Sequence, residues 1–421
     1  VELVARRRAH VARLDLSTAQ VVALDSQAHT ARALWNLLHE YFTFRQGLFP
    51  TSAECDRAIR QARHEIDWVG RLPAQAAQSV LKNYRQAWTN FFNPDHPAKR
   101  PTFKSRRTRL AVDVPQARDL QVRRLNRRWG AVNLPKIGRT RFRWTKDLPG
   151  VTKGGPAGRI TGARLVKDAY GWNIMFRAEM LTTPRSAEHP GPQVGIDRGI
   201  NVALALSDGT MREHGPWLSD GEREHLRRLE KKSARQRRSH VHGGPISRRL
   251  ARTYAKIAKV RAKAKRRTLD WQHQTTTELA GTFSKIMVEE LKITSMLRSA
   301  KGTTGRPGVN VAQKSGLNRA IAAEAWGRTV AFLEYKSADR AGRVVKVPAP
   351  GTSLTCHRCG HCEPDNRAGV MFSCRNPGCG WGGHADTNAA INIRNAAGTA
   401  VPGRGDLGVT RSTKRQPPHA A

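Results

Sequence analysis

The sequence predicts a multidomain α+β protein, and three observations carry that prediction. Apolar residues recur at helical spacing over residues 17–95. Short alternating segments broken by turn residues fill 100–182. Beyond a Pro/Gly-rich stretch at 184–192, brief apolar runs alternate with helical patterns, as in an α/β domain.

In order, residues 1–15 read as a short basic strand. Ser17-Thr-Ala-Gln20 then has the form of a capping box. Leu24, Ala28, Ala31, Trp35, Leu38 and Phe42 follow on one helical face, and Val80, Tyr84, Ala87, Trp88 and Phe91 mark a second helix. The aromatics on these faces are expected to be core. Strands are expected at Leu120–Leu125, Ala131–Pro135, Thr140–Trp144, Arg159–Leu165 and Gly171–Arg177, giving a basic β-barrel or sandwich with the helices inserted after its first strand. Val194–Asp197 and Val202–Ser207 predict two more strands, with Asp208-Gly209 as a hairpin turn. Residues 220–283 read as mainly helical, Ile286–Glu289 as a strand, 299–316 as a mobile loop, 318–337 as a helix and Arg343–Val347 as a strand. Asp386 opens a last helix, and the Gly/Pro/Arg-rich segment 398–421 reads as a disordered tail.

Charge narrows the partners. The chain carries 74 Lys+Arg against 33 Asp+Glu, a formal net charge of +41. Such a surface repels itself unless a polyanion neutralises it, so nucleic acid is the expected partner, with salt-dependent binding. Between Arg223 and Arg267 stand eighteen Lys/Arg and two Glu, which suits a helical arm that tracks phosphates. No run approaches the ~20 apolar residues of a membrane span, and no secretory signal pattern opens the chain.

Five of the six cysteines fall between Cys356 and Cys379. That clustering favours a metal site over a disulfide framework. Cys356-His-Arg-Cys359-Gly and Cys374-Arg-Asn-Pro-Gly-Cys379-Gly form two knuckles, the second with four residues between its cysteines. Cys356, Cys359, Cys374 and Cys379 would enclose a structural Zn²⁺. Cys362 is a competing ligand, and His357 and His361 are weaker ones. Cys55 stands apart as an inert thiol.

In a chain so poor in carboxylates, three stand out because each ends or interrupts an apolar run or opens a helix. They are Asp197, Glu289 and Asp386. Carboxylates gathered at strand ends can hold two Mg²⁺ ions about 3.5–4 Å apart, which activate water and stabilise the leaving oxygen in phosphodiester cleavage.

In order, Gly195-Ile-Asp-Arg-Gly199, Val288-Glu-Glu-Leu291, Gly316-Leu-Asn-Arg-Ala-Ile321, Cys356-x-x-Cys359-Gly360 and Asp386-Thr-Asn-Ala-Ala-Ile-Asn-Ile393 resemble the TnpB family. These proteins are encoded by bacterial insertion sequences and related to compact type V CRISPR effectors. Pro101-Thr-Phe-Lys-Ser, Leu134-Pro-Lys-Ile-Gly and Phe142-Arg-Trp-Thr-Lys-Asp-Leu-Pro extend the resemblance over most of residues 10–400.

The resemblance implies an RNase H-like RuvC nuclease domain over 191–350 and 383–397, interrupted by a zinc-ribbon, target-binding insert at 351–382. It implies an oligonucleotide-binding-like (WED) barrel over 1–15 and 98–186, and a helical recognition (REC) module over 16–97. Asp197, Glu289 and Asp386 match the three RuvC carboxylates, Glu290 supports them, and 299–316 matches a lid. The implied activity is Mg²⁺-dependent cleavage of double- and single-stranded target DNA beside a short transposon-adjacent motif. The guide RNA would come from a transposon end or, as in a CRISPR effector, from an array. The implied setting is the prokaryotic cytoplasm, at the nucleoid. A non-cleaving guided DNA-binding regulator is the alternative from another class. A DNA-strand transposase is disfavoured, since the contexts of Asp197, Glu289 and Asp386 match the RuvC pattern of the family that the chain resembles.

Overall fold

The computed structural model describes residues 3–44, 50–182, 189–238, 240, 244–348 and 350–397. The expected tail, 398–421, lies outside the described residues, as does most of the Pro/Gly stretch. The chain divides into two compact units, 1–184 with 221–262, and 185–220 with 263–421.

In the first unit a long strand, β1 (Val4–Asp15), leads into α1 (Thr18–Phe44), α2 (Ser52–Glu65), α3 (Asp67–Gly70) and α4 (Ala74–Phe92). Ser17 and Gln20 form the expected reciprocal cap, the Gln20 amide donating to Ser17 Oγ at 3.3 Å and the Ser17 amide to Gln20 Oε1 at 3.1 Å. Leu24, Ala28, Ala31, Leu38 and Phe42 are buried along α1, against Leu81, Tyr84 and Trp88 of α4. Phe91 departs from that stripe and sits at the surface beside the still more exposed Phe92.

The β-strands of this unit are β2 (Ala111–Val114), β3 (Arg123–Arg124), β4 (Trp129–Leu134), β5 (Gly138–Arg143), β6 (Gly158–Asp168) and β7 (Gly171–Thr182). With β1 they make one curled antiparallel sheet in the order β2-β6-β7-β1-β5-β4-β3. β1 joins its two parts, pairing with β7 over Val4–Arg13 and with β5 at Leu14 and Asp15. The strand expected at Leu120–Leu125 is mostly absent: Ala117–Leu120 is a 3-10 turn and Gln121 is left-handed, so pairing begins only at Arg123. Alternation in so short a segment cannot distinguish the two. Lys167 bonds both Asp25 oxygens, at 2.6 and 2.7 Å, and Trp172 Nε1 donates to Asp25 at 3.0 Å, tying α1 to the β6–β7 hairpin.

Helices α5 (Asp220–Arg238) and α6 (Arg248–Thr282) carry the basic arm. Most of α5, with Arg248–Ala262 of α6, belongs to this first unit. Leu250 and Ile257 are buried, and most of the arm's basic side chains are exposed.

The second unit holds β8 (Gln193–Asp197), β9 (Leu204–Leu206), β10 (Met211–Arg212), β11 (Lys285–Glu289), α7 (Ile293–Met296), α8 (Val311–Glu324), α9 (Trp326–Ala338) and β12 (Arg343–Val347). The sheet order is β10-β9-β8-β11-β12, with β8, β11 and β12 parallel and β9 antiparallel. β11 reads Ile-Met-Val because both faces are covered. Ile286 and Val288 join Leu279, Phe283, Val330 and Leu333 on one face, and Met287 joins Val347 and Ile393 on the other.

Instead of one helix from 318, α8 begins at Val311 and stops at Glu324, because Ala325 is left-handed (φ 50°). Gln272 Nε2 donates to Glu324 O at 3.1 Å and to Thr329 Oγ1 at 2.8 Å, and so bridges the break. The expected loop 299–316 therefore shortens, and it carries a local Gly302–Pro307 bridge.

A small antiparallel sheet, β13 (Arg367–Ala368), β14 (Met371–Ser373) and β15 (Gly382–His384), precedes α10 (Ala385–Ala396). No described helix is long and apolar enough to cross a membrane.

Candidate active site and metal centre

β8 and β11 are adjacent parallel strands in register, with Ile196 opposite Val288. Asp197 and Glu289 are the next residues on each, so both leave the sheet at its carboxyl end. That end is where open α/β sheets hold their ligands. The third carboxylate arrives from α10. Gly195 makes this possible, because a Cβ there would lie 2.1 Å from Ala390 O and 2.6 Å from the Arg394 amide. Without a side chain on β8, α10 lies directly on the strand and its first turn, holding Asp386, reaches the strand ends. His384 caps that helix by accepting from the Asp386 amide at 3.2 Å.

Charge couples the three. Burial, then Glu289, then Asp386 push the Asp197 carboxyl from its ordinary 3.8 up to about 7. Arg367 and a backbone hydrogen bond oppose this without cancelling it. The cluster therefore holds more negative charge than its protein neighbours neutralise. Hard oxygen donors of this kind suit Mg²⁺. The three are more loosely gathered than a cage for a single ion: among the described residues, the group whose ligand atoms all lie within 4.8 Å of one another is Cys356, Cys359, Cys374 and Cys379.

Three further residues complete the site. Arg367 on β13 donates to Asp386 Oδ1 at 2.7 Å, reaching it from between the knuckles. Thr352 Oγ1 donates to Glu289 Oε1 at 2.5 Å. Arg198, buried beside Asp197, donates to the Glu289 carbonyl. Arg198 lies inside the Gly-Ile-Asp-Arg-Gly run, so adjacency is a signal for it. Arg367 and Thr352 have only one: scarce carboxylates need cations or donors nearby.

In the cysteine cluster the Cys356–Cys379 and Cys359–Cys374 sulfurs are 3.9 and 3.6 Å apart. Four sulfurs at about 2.3 Å from a tetrahedral zinc lie about 3.8 Å from each other, so the donor set fits that ion. The thiols cannot all ionise unaided. The His361 amide lowers Cys359 to about 6, while burial foremost raises Cys374 to about 12. Cys362 is exposed and outside the cluster. His357 Nδ1 is engaged with Asn388 Oδ1 at 3.0 Å, and His361 with Glu363 at 2.9 Å. Cys55 is buried in the first unit.

The two centres are joined through α10. Asn388 Nδ2 donates to Thr355 O at 2.7 Å, and Asn392 Nδ2 to Thr352 O and Thr355 O at 2.9 and 2.6 Å. α10 thus grips the segment that carries Thr352 to Glu289 and leads into Cys356.

Residues 176–300 match a family model described as "Probable transposase", and 326–393 one described as "Cas12f1-like, TNB domain". The chain is 32% identical over 346 residues to "Putative RNA-guided DNA endonuclease InsQ" of Escherichia coli (strain K12), covering 82% of this chain and 79% of that protein. It is 27% identical to a "Putative RNA-guided DNA endonuclease" of Streptomyces pristinaespiralis, covering 81% and 76%. A Cas12f1 solved with sgRNA and target DNA aligns at 16% identity over 90% of this chain and 83% of its own, with a TM-score of 0.49.

Proposed function

The chain belongs to the TnpB family, and from that premise we propose that it is an RNA-guided DNA endonuclease with a RuvC-type, two-metal active site. One observation carries the catalytic part: three carboxylates from β8, β11 and α10 gather at one end of the sheet, where burial and then the charges of Glu289 and Asp386 raise Asp197 to about 7. The strand order β10-β9-β8-β11-β12 supports an RNase H-like assignment for this domain. The relatives' printed names support guide RNA and DNA as partners, and the +41 charge suits both.

Asp197, Glu289 and Asp386 would hold the Mg²⁺ pair, which supplies an activated water and charge for the leaving oxygen. Thr352 orients the Glu289 carboxylate and Arg367 the Asp386 carboxylate, so each presents a fixed oxygen. Arg198 holds the end of β11 against β8. Cys356, Cys359, Cys374 and Cys379 would hold Zn²⁺ in a ribbon that keeps Arg367 and Thr352 in place. Glu290 gives its amide to Val347 O at 2.8 Å, a backbone role at the strand end. We assign the first unit's curled sheet and helices to the WED-like and REC-like roles, with recognition of a short DNA motif.

The test is cleavage by the RNA-bound protein. Asp197→Ala, Glu289→Ala and Asp386→Ala should each abolish cleavage and keep RNA binding, because metal-clamping carboxylates act as a unit. Cleavage at the wild-type rate in any of the three would overturn the assignment.

A further inference from the structure

The outer face of the curled sheet carries a second feature that the carboxylate site does not use. Trp129 on β4 stands opposite Arg143 on β5, with Arg141 two pairs along, opposite Ala131. Their guanidinium carbons lie 4.8 and 5.1 Å from the indole centroid. Beside them opens a cavity of about 370 Å³, bounded by Arg13, Asp15, Val21, Trp129, Arg143 and Tyr170. That volume falls within the range of small-ligand sites, about 300–1,000 Å³.

The charges in its wall are unevenly satisfied. Arg13 pairs with Asp168 at 3.1 Å, and Arg141 with Asp15 at 2.7 Å. Arg143 is exposed and has no carboxylate partner among the described residues. Tyr170 is held by its hydroxyl, which donates to Lys259 O on α6 at 3.1 Å, so its ring is fixed in the wall. Flat aromatic and guanidinium surfaces, a cation with no carboxylate partner among the described residues and a neighbouring carboxylate acceptor match the parts of a nucleotide. A base stacks, a phosphate is neutralised, and an exocyclic amine finds an acceptor.

We propose that this cavity is a subsite for one unpaired nucleotide of the guide RNA, with Trp129 as the stacking surface and Arg143 as the phosphate contact. Asp15 repels phosphate and accepts from a base, which sets the nucleotide's orientation. RNA is favoured over target DNA because the cavity takes a single unstacked base. A folded RNA offers such bases in loops and bulges, whereas duplex DNA must first be unpaired. The subsite rests on the guide-RNA reading above.

The experiment uses the full chain and the transcript that copurifies with it, titrated at several salt concentrations, with ultraviolet crosslinking mapped by mass spectrometry. Trp129→Ala should bind that RNA about tenfold more weakly, and Trp129→Phe should recover most of the loss. Arg143→Ala should lower the slope of log affinity against log salt by about one unit, with thermal transition and zinc content unchanged. Crosslinks from Trp129 or Tyr170 should fall on one unpaired RNA nucleotide. If Trp129→Ala does not fold, the Arg143 slope and the crosslink decide. Wild-type slope and affinity in Arg143→Ala, or crosslinks to DNA alone, overturn the subsite while a guided, cleaving wild type leaves the nuclease reading intact. A wild-type protein that binds no RNA sinks both.

Discussion

Asp197→Asn should make the protein more stable and catalytically dead, and the size of the gain can be worked from the site. In the folded chain without Mg²⁺, the Asp197 carboxyl titrates near 7 instead of 3.8. The native state therefore holds a proton that the unfolded chain has already lost between those values. Stability from this group is fully present below about pH 4, declines as pH rises, and is gone above about 7. A shift of roughly three units corresponds to about 4 kcal/mol at most. Asparagine keeps the shape and removes the charge, so the variant escapes this penalty. Chemical unfolding of zinc-loaded, Mg²⁺-free wild type and variant should show a gain of about 2–4 kcal/mol at pH 8, falling below about 1 kcal/mol at pH 4. Comparing the two proteins at each pH cancels the other carboxylates. Equal stability at pH 8, or a gain that does not shrink on acidification, would refute the claim that burial, with Glu289 and Asp386 beside it, raises the Asp197 carboxyl.

Arg367→Ala should keep zinc and RNA binding yet cut DNA about 10–100-fold more slowly in single-turnover assays, the loss expected for one charge-assisted hydrogen bond; an unchanged rate would make its bond to Asp386 incidental. Elemental analysis should find one zinc per chain, lost in Cys356→Ser and Cys379→Ser and retained in Cys362→Ser, and retention in all three would disprove the ligand set. Replacing Lys231, Lys232, Arg235 and Arg237 of α5 with alanine should weaken RNA binding and flatten its salt dependence by about one unit for each phosphate left without its cation. Unchanged binding there would leave the arm a solvated surface.

Local chemistry explains which parts were readable in advance. The Ser17–Gln20 cap, the α1 stripe and the Asp208-Gly209 turn depend on neighbours in sequence, and each appears where those neighbours put it. The strands that end in Asp197 and Glu289 were legible because an apolar run broken by an acid is rare in a chain this basic. The 3-10 turn at Ala117–Leu120 and the break at Ala325 were not legible. Both depend on left-handed residues other than glycine, Gln121 and Ala325, which local spacing does not announce. The Gln272 bridge across the Ala325 break spans more than fifty positions. The same holds at the site. Arg367 reaches Asp386 across nineteen residues, and Thr352 reaches Glu289 across sixty-three, so neither could be found by spacing.

The most direct test of the account is reprogramming. The copurifying RNA is sequenced, its target-matching segment is replaced, and the purified complex is offered two DNA duplexes, one matching each guide. The account predicts Mg²⁺-dependent cleavage that moves to the new sequence and disappears in Asp197→Ala. Cleavage that stays at the old site, or proceeds without RNA, would contradict it.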